Sequence, residues 1–582
     1  MKGAPRRRRI PGALITGVLV LAWGAAQADV AAVRAPAQPA PATARSAARP
    51  IHKSAIASAH PLASAAGREI LAQGGNAFDA AVAVSAALAV VEPSSSGLGG
   101  GGFYLLRRAD GSATLVDARE KAPQAATRDM YLDAAGQPIA DASTDGPRAA
   151  GIPGEPAAFE YLARKYGRLP LKTSLAPAIR LAREGFPMYA RLQSGIRYKR
   201  GNLLHSPAAA KVFLTQGGEP PQIGAMIKQP DLADTLQALA ERGAAGFYAG
   251  RVARDLVAGV RAGGGIWTLA DLAAYRVVER KPVTGEYHGA RIVSAPPPSS
   301  GGVALLDALN ILSGFDLGNF DPATRKHVII ESMWRAFRDR AVYLGDPDFV
   351  SVPVALITSR AYAAGQGASI RVDKAMPSDL LPGVDAPPGG MQTTHFSILD
   401  SAGNAVAATI SINLWLGSGY MVDKTGVLLN DTMDDFSAKP DQPNAFGLVG
   451  GSANAIAPQK RPLSSMTPTF VTTKDGMMIV GSPGGSFIIS MVLLATLNYV
   501  DGMSAADIVK YPHYHQQYLP DVVDYESGAL TPEEITVLQA KGQKLKEGRR
   551  AWGNMQVVTW DFASGAVQAA SDPRGEGAGL VY

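Results

Sequence analysis

Between residues 393 and 413 polar and apolar positions alternate. Thr394, Phe396 and Ile398 share one parity, and Thr393, His395 and Ser397 share the other, which predicts a strand with two different faces. Ser401-Ala-Gly403 supplies a turn in which Gly403 can take φ > 0, and residues 404–413 read as a second strand. A three-residue loop pairs Asp400 with Asn404, so opposed positions sum to 804. Thr393 then faces Ser411, and Asn413 lies one step further on the same face.

The same reading places other elements. Pro61 to Ala72 predicts a helix stopped by Gly74-Gly75. Asn76 is placed to cap the next helix, which runs to Pro93 and is apolar on most sides, as a helix buried between layers is. Ser94 to Gly102 leads into a strand at 103–106, and a further strand from Ser112 to Val116 precedes Arg119. The glycine cluster is followed by a strand and by no Gly-Lys-Ser/Thr, which excludes a phosphate loop and leaves close chain packing. Residues 155 to about 345 carry helical periodicity broken by Gly and Pro, with no internal repeat. Gly484 and Gly485 occupy a predicted turn between a strand and a helix, and Ser464 and Ser465 a loop bounded by prolines.

A chain of 582 residues has room for a large core. Its formal charge of +6 misleads, because Lys2 and Arg6 to Arg9 carry five of those charges in a stretch without acids. The remainder is close to neutral, so nucleic acid is not an indicated partner. Those charges, the apolar run 10–23 and Ala26-Gln-Ala28 read as a signal peptide over 1–28, compatible with either general or twin-arginine export. The apolar run is shorter than the ~20 residues a membrane span needs and is broken by Pro11, so no stable span is expected after cleavage. Residues 29–53, rich in Ala, Pro and Arg, read as a disordered linker, and the mature protein is expected to be periplasmic or secreted. The absence of cysteine excludes disulfides, thiolate metal sites and cysteine nucleophiles. His513-Tyr-His515 lacks a third ligand at a recognisable spacing, and Asp434-Asp435 lacks a calcium-loop spacing, so no metal and no cofactor is expected.

Pro387-Pro-Gly-Gly390 makes a flexible approach to Thr393. If the Gln392–Thr393 bond were cut, one residue would hold a hydroxyl nucleophile and an α-amine base of reference pKa near ~8. Thr-Thr is also ordinary strand composition, so the pattern leaves both readings open.

The run Thr393-Thr-His-Phe-Ser-Ile-Leu-Asp400 resembles the light-chain start of the γ-glutamyltranspeptidases, which are self-processing N-terminal-nucleophile hydrolases. Further stretches resemble that family in the same order: Gly74 to Val84, Leu98 to Phe103, Asp117 to Pro123, Pro296 to Gly302, Leu428 to Ser437, Arg461 to Pro468 and Gly481 to Ser486. The resemblance implies an α/β fold, a four-layer αββα sandwich. It implies a precursor cut into a large chain, 54–392 after the leader and linker, and a small chain, 393–582, associated as one intertwined catalytic domain. It implies a γ-glutamyltransferase and hydrolase that cleaves glutathione and other γ-glutamyl amides, with transfer to water or to amino-acid or dipeptide acceptors.

Thr393 is then the nucleophile, released by cleavage after Gln392, with Ser411 and Asn413 holding it and the backbone N–H groups of Gly484 and Gly485 as oxyanion donors. Arg119, Ser464 and Ser465 would bind the substrate's α-carboxylate, and Asp435 its α-ammonium. Thr432 stands where many members place Gln or Glu to help bind the amino group. Phe446 stands for a frequent Tyr in the lid loop 438–447, and Phe487 for an Arg of some relatives. The alternative within the fold is a cephalosporin or glutaryl acylase. A binding protein that never cleaves would not need the intact set of Thr393, Ser411, Asn413 and the two glycines.

Overall fold

Asn76 caps its helix as its position predicts. Its side-chain oxygen accepts from the N–H groups of Phe78 and Asp79, and Asp79 returns a bond to the Asn76 N–H, a reciprocal capping box. The computed structural model describes residues 51–376, 393–439 and 442–582. The signal peptide, most of the linker, Pro387 to Gly390 and Gln392 therefore lie outside the described residues.

In chain order the elements that position the site are β1 (Ala55–Ser58), α1 (Pro61–Ala72), α2 (Ala77–Val91), β2 (Gly101–Arg107), β3 (Ala113–Ala118), β4 (Val278–Arg280), β5 (Val283–Tyr287), β6 (Ala290–Ser294), α3 (Gly301–Leu312), α4 (Pro322–Tyr343), β7 (Thr394–Leu399), β8 (Ala405–Ser411), β9 (Thr469–Thr472), β10 (Gly476–Gly481), α5 (Phe487–Val500), β11 (Gln556–Asp561), β12 (Val567–Ser571) and β13 (Ala578–Val581). One antiparallel sheet runs β13-β1-β7-β8-β2-β3-β4 and the other β12-β11-β10-β9-β6-β5. Both sheets contain strands from before and after residue 393, with β1 beside β7 and β8 beside β2 in the first and β9 beside β6 in the second, so the two parts of the chain share each sheet.

Side-chain parity separates the layers. Ile56, Tyr104, Phe396, Ile398 and Val406 enter a core with α1 and α2. The opposite parity, Ala57, Phe103, Leu105, Leu399 and Ala407, meets Val293, Phe470, Met477, Ile479 and Val558 of the second sheet. The far face of that sheet, with Ile292, Val471, Met478 and Val480, packs on α3, α4 and α5. The order is helix, sheet, sheet, helix, the four-layer αββα sandwich. Every residue of α2 is buried, as its nearly uniform apolar surface requires.

The region from 155 to 345 differs from its helical reading, because β4, β5 and β6 interrupt it. His288 and Gly289 turn β5 into β6 with positive φ of 46° and 79°, and β6 is a strand because β9 pairs with it. That partner is about 180 residues away and leaves no local periodicity.

The central hairpin has the expected register: Leu399 faces Ala405, Phe396 faces Ala408 and Thr394 faces Ile410. Gly403 takes φ 89°. Asp400 closes the loop. One carboxylate oxygen accepts from the N–H groups of Ala402 (3.0 Å) and Asn404 (2.9 Å), and the other from the Ala77 N–H (3.0 Å) and the Asn404 side chain (2.8 Å). The turn and the first residue of α2 are thereby tied together. Asp400→Ala should leave these donors, of which those of Ala77 and Asn404 are buried, without an acceptor and destabilise the protein by about 2–4 kcal/mol, read as a lowered urea midpoint at unchanged m-value.

Candidate active site

Thr393 immediately precedes β7 and takes the parity that faces the second sheet. Its Oγ1 lies 3.3 Å from Ser411 Oγ across the rung. Ser411 Oγ also accepts from the Asn413 N–H at 2.8 Å. Asn413 has φ 79°, a left-handed conformation that Asn tolerates better than most residues. It is held there from outside the hairpin: its side-chain amide donates to the Asp431 carbonyl (3.1 Å), and an Asp431 carboxylate oxygen accepts from the Leu414 N–H (3.0 Å).

Gly484 and Gly485 form the turn from β10 into α5, with φ of 140° and 56°. A β-carbon at Gly485 would stand 2.3 Å from the Phe446 ring, and one at Gly484 2.6 Å from the Met491 methyl, so neither position admits a side chain without displacement. Among the described residues neither N–H group donates a hydrogen bond. Two unsatisfied donors in adjacent positions suit a developing oxyanion.

Arg119 follows β3 and is buried. Its guanidinium donates to Asp435 and to Glu120 (3.2 Å), and its Nε to the Pro462 carbonyl (3.3 Å). Burial pushes the Glu120 carboxyl up to about 7, opposed by Arg119. Burial also raises Asp435, again opposed by Arg119. The Ser464 carbonyl receives the N–H and hydroxyl of Ser300, both at 2.7 Å, and Ser464 Oγ accepts from the Met466 N–H.

Thr393, Ser411, Asn413, Gly485, Arg119, Asp435, Ser464 and Ser465 line one small cavity that encloses about 300 Å³, with Phe446 and Leu448 over it. A groove of about 1270 Å³ beside Lys474 and Trp560 is larger but gathers none of these groups. Gly484 lies one residue behind the cavity wall. Thr432 is not brought to it: its hydroxyl and N–H both bond the Asn430 side-chain oxygen, at 2.6 and 3.0 Å. His395 is in the inter-sheet core, its ring nitrogens taken by Thr409 (2.8 Å) and Ser397 (3.2 Å), and burial lowers its pKa to about 3. It has no path to act as a base for Thr393. Phe487 packs against His515 and Trp552.

Two residues at the site escaped the sequence reading. Arg340, in α4, is buried, and donates Nε to Ser300 (3.1 Å) and Nη2 to Ser465 (3.3 Å). Burial lowers its pKa to about 10, opposed by Asp435. Asn454 donates to the Asp435 carbonyl at 2.7 Å. Arg340 is one of three arginines in Trp334 to Arg340, and only the packing of α4 against the 299–300 loop distinguishes it.

Glu120 makes the site's stability pH-dependent. Its folded pKa of about 7 is raised, so the stability it contributes is complete below the unfolded value of about 4.5 and is lost as pH rises through about 7. Glu120→Gln should flatten that slope, which can reach about 1.4 kcal/mol per pH unit for one proton. Thermal unfolding of both proteins between pH 4.5 and 8 checks this; parallel profiles would refute it.

A sequence family described as Gamma-glutamyltranspeptidase matches residues 63–582. A Glutathione hydrolase proenzyme of Escherichia coli (strain K12) is 44% identical over 520 residues, covering 88% of this chain and 89% of its own. One of Pseudomonas sp. (strain A14) is 46% identical over 491 residues, 83% and 85% of the two chains. Among solved structures, the cephalosporin acylase from Bacillus halodurans superposes with a TM-score of 0.79 at 28% identity, over 94% of this chain and 99% of its own.

Proposed function

The chain belongs to the γ-glutamyltranspeptidase family, and on that premise we propose that it is a self-processing glutathione hydrolase and γ-glutamyltransferase with Thr393 as nucleophile. The observation that carries this is the convergence in one cavity of a hydroxyl pair, Thr393 and Ser411, with a charged pair, Arg119 and Asp435.

Maturation begins when Thr393 Oγ1 attacks the Gln392 carbonyl. The C–N bond breaks, its nitrogen takes up the hydroxyl's proton, and water hydrolyses the resulting ester. Thr393 is left with a free α-amine, and the large and small chains stay associated through their shared sheets. In turnover that amine takes the hydroxyl proton as Oγ1 attacks the substrate γ-carbonyl. Ser411 and Asn413 hold the nucleophile. The N–H groups of Gly484 and Gly485 stabilise the oxyanion, worth about 3 kcal/mol per donor. The leaving amine departs with the proton, and water or an amino-acid or peptide amine then resolves the γ-glutamyl ester.

The head group is a zwitterion. Arg119, Ser464 and Ser465 receive its carboxylate, with Arg340 behind Ser465, and Asp435 receives its ammonium. Thr432 is not part of this head-group set, its hydroxyl being held by the Asn430 side-chain oxygen. The acylase reading draws on the likeness to the cephalosporin acylase structure. Asp435 argues against it, since a glutaryl head carries a carboxylate and no amine and would set an anion beside this acid. Export is supported by the basic start and Ala26-Gln-Ala28, and no helix among the described residues is long and apolar enough to cross a membrane.

Thr393→Ala should leave a single uncut, inactive chain on denaturing electrophoresis, and N-terminal sequencing of the wild-type small chain should begin Thr-Thr-His-Phe; cutting in the variant would sink the assignment. Asp435→Ala should raise KM for γ-glutamyl-p-nitroanilide about ten- to a hundredfold, the loss of one charged hydrogen bond, while processing continues. Wild type should turn over that substrate far faster than glutaryl-p-nitroanilide; the reverse preference would establish the acylase reading.

A further inference from the structure

The loop over the cavity is held from outside by a hydrogen-bond chain whose polarity is fully determined. The Gln517 side-chain amide faces three carbonyls: Gly447 at 3.0 Å, Phe446 at 3.3 Å and Leu519 at 3.2 Å. Carbonyls only accept, so the NH2 end of Gln517 points at the loop. Its oxygen then accepts from His515 Nε2 (2.8 Å), and His515 Nδ1 accepts from the Ser490 hydroxyl (2.7 Å). Burial lowers the His515 pKa to about 4, so the ring is neutral, in the tautomer this chain needs. Phe487 and Phe337 fix its plane, with ring centroids 4.1 and 5.3 Å away. All three polar residues are buried.

The loop forms a compact turn of its own. Asn444 Oδ1 accepts from the N–H groups of Phe446 (3.0 Å) and Leu448 (3.1 Å), and the Ala445 N–H donates to Asp434 (2.9 Å). Within it the Phe446 ring rests on Gly485, and Leu448 completes the cavity wall. Phenylalanine has no hydroxyl with which to fasten itself to the catalytic side, so the fastening falls to the loop's backbone: Asp434 accepts from its Ala445 N–H, and the Gln517 side chain donates to its Phe446 and Gly447 carbonyls.

We propose that Gln517, aimed by His515 and Ser490, is the latch that holds residues 444–448 closed over Gly485 and thereby sets how the acyl-enzyme divides between water and an amine acceptor. This rests on the reading of Thr393 as the acyl carrier. In either branch the attacking oxygen or nitrogen adds to the ester carbonyl, the carbonyl–Oγ1 bond breaks, and Thr393 regains the attacker's proton. A closed loop limits free water at the ester, whereas an acceptor that binds in the cavity mouth carries its amine in with it.

The test uses the self-processed enzyme with Gln517→Leu and Gln517→Glu. The second keeps the volume but puts a carboxylate against carbonyls, where it cannot donate. Two quantities are measured: chymotryptic nicking after Phe446 under native conditions, and the ratio of transfer to hydrolysis for γ-glutamyl-p-nitroanilide with a dipeptide acceptor. Both variants should be nicked severalfold faster and show a severalfold lower ratio, with cutting before Thr393 intact. Wild-type nicking in both variants would overturn the latch, and faster nicking with an unchanged ratio would overturn its control of partition. A wild type inert toward the substrate would refute the reading of the site, while the nicking comparison would still decide the latch.

Discussion

Everything at the site depends on one turn holding its length. Asp400 closes a three-residue loop between β7 and β8 and also binds the first N–H of α2, which anchors the hairpin to the helical layer. Side chains alternate along a strand, so a slip of one residue would carry Thr393 to the face occupied by Phe396 and Ile398 and bring Thr394 into the cavity. The slip is opposed by the whole alternation of β7, since His395 and Ser397 would then meet the helices and Phe396 the second sheet. Core packing and the placement of Thr393, the proposed nucleophile, are thus one constraint.

The head-group end has a different logic. Arg119 contacts both Glu120 and Asp435 with little solvent, and Asp435 is also felt by the buried Arg340, an arrangement whose desolvation cost can exceed its Coulombic gain. Without substrate the charges satisfy each other, Arg119 with Asp435 and Glu120. A bound α-amino acid brings one charge of each sign, so its carboxylate and ammonium can take over half of each existing pair and leave no charge unpaired. An acyl group with one charge, or none, would not allow that exchange. On the proposed reading, selectivity for an amino-acid head follows from this balance as much as from any single contact.

How far the sequence discloses this depends on whether the signal is local. The hairpin register, the Asn76 cap, the buried helix that follows and the strand–turn–helix at Gly484-Gly485 are all set by neighbours in the chain, and all are legible. The pairing of β6 with β9 is not, because it is decided by a partner about 180 residues away. Arg340 is invisible for the same reason: its role is conferred by Ser300 and Ser465, on separate segments. Thr432 shows the converse. The resemblance sets it where many relatives place an amino-group-binding Gln or Glu, yet the Asn430 oxygen two residues earlier captures its hydroxyl, a short-range competition of the kind Asn and Thr often enter. Gln517 gives no signal of its own, while His515 attracts attention only as half of a His-x-His pair.

The proposed chemistry also explains why this machinery can rest in an uncut chain without consuming substrate. A peptide nitrogen has no basic lone pair, so before cleavage Thr393 carries a hydroxyl but no internal base. Its neighbour Ser411 offers a hydroxyl 3.3 Å away, and His395 is sealed in the inter-sheet core with both nitrogens occupied. Neither is placed to serve as a strong base. The first attack is therefore confined to the preceding residue's carbonyl, which the chain's own connectivity keeps near Oγ1, where proximity makes up for the weak base. Only the product of that reaction, an amine on the residue that bears the nucleophile, equips the site for intermolecular turnover. The same cavity thus performs a single slow event on its own chain and repeated events on substrate, and the difference between them is one proton acceptor that the first event creates.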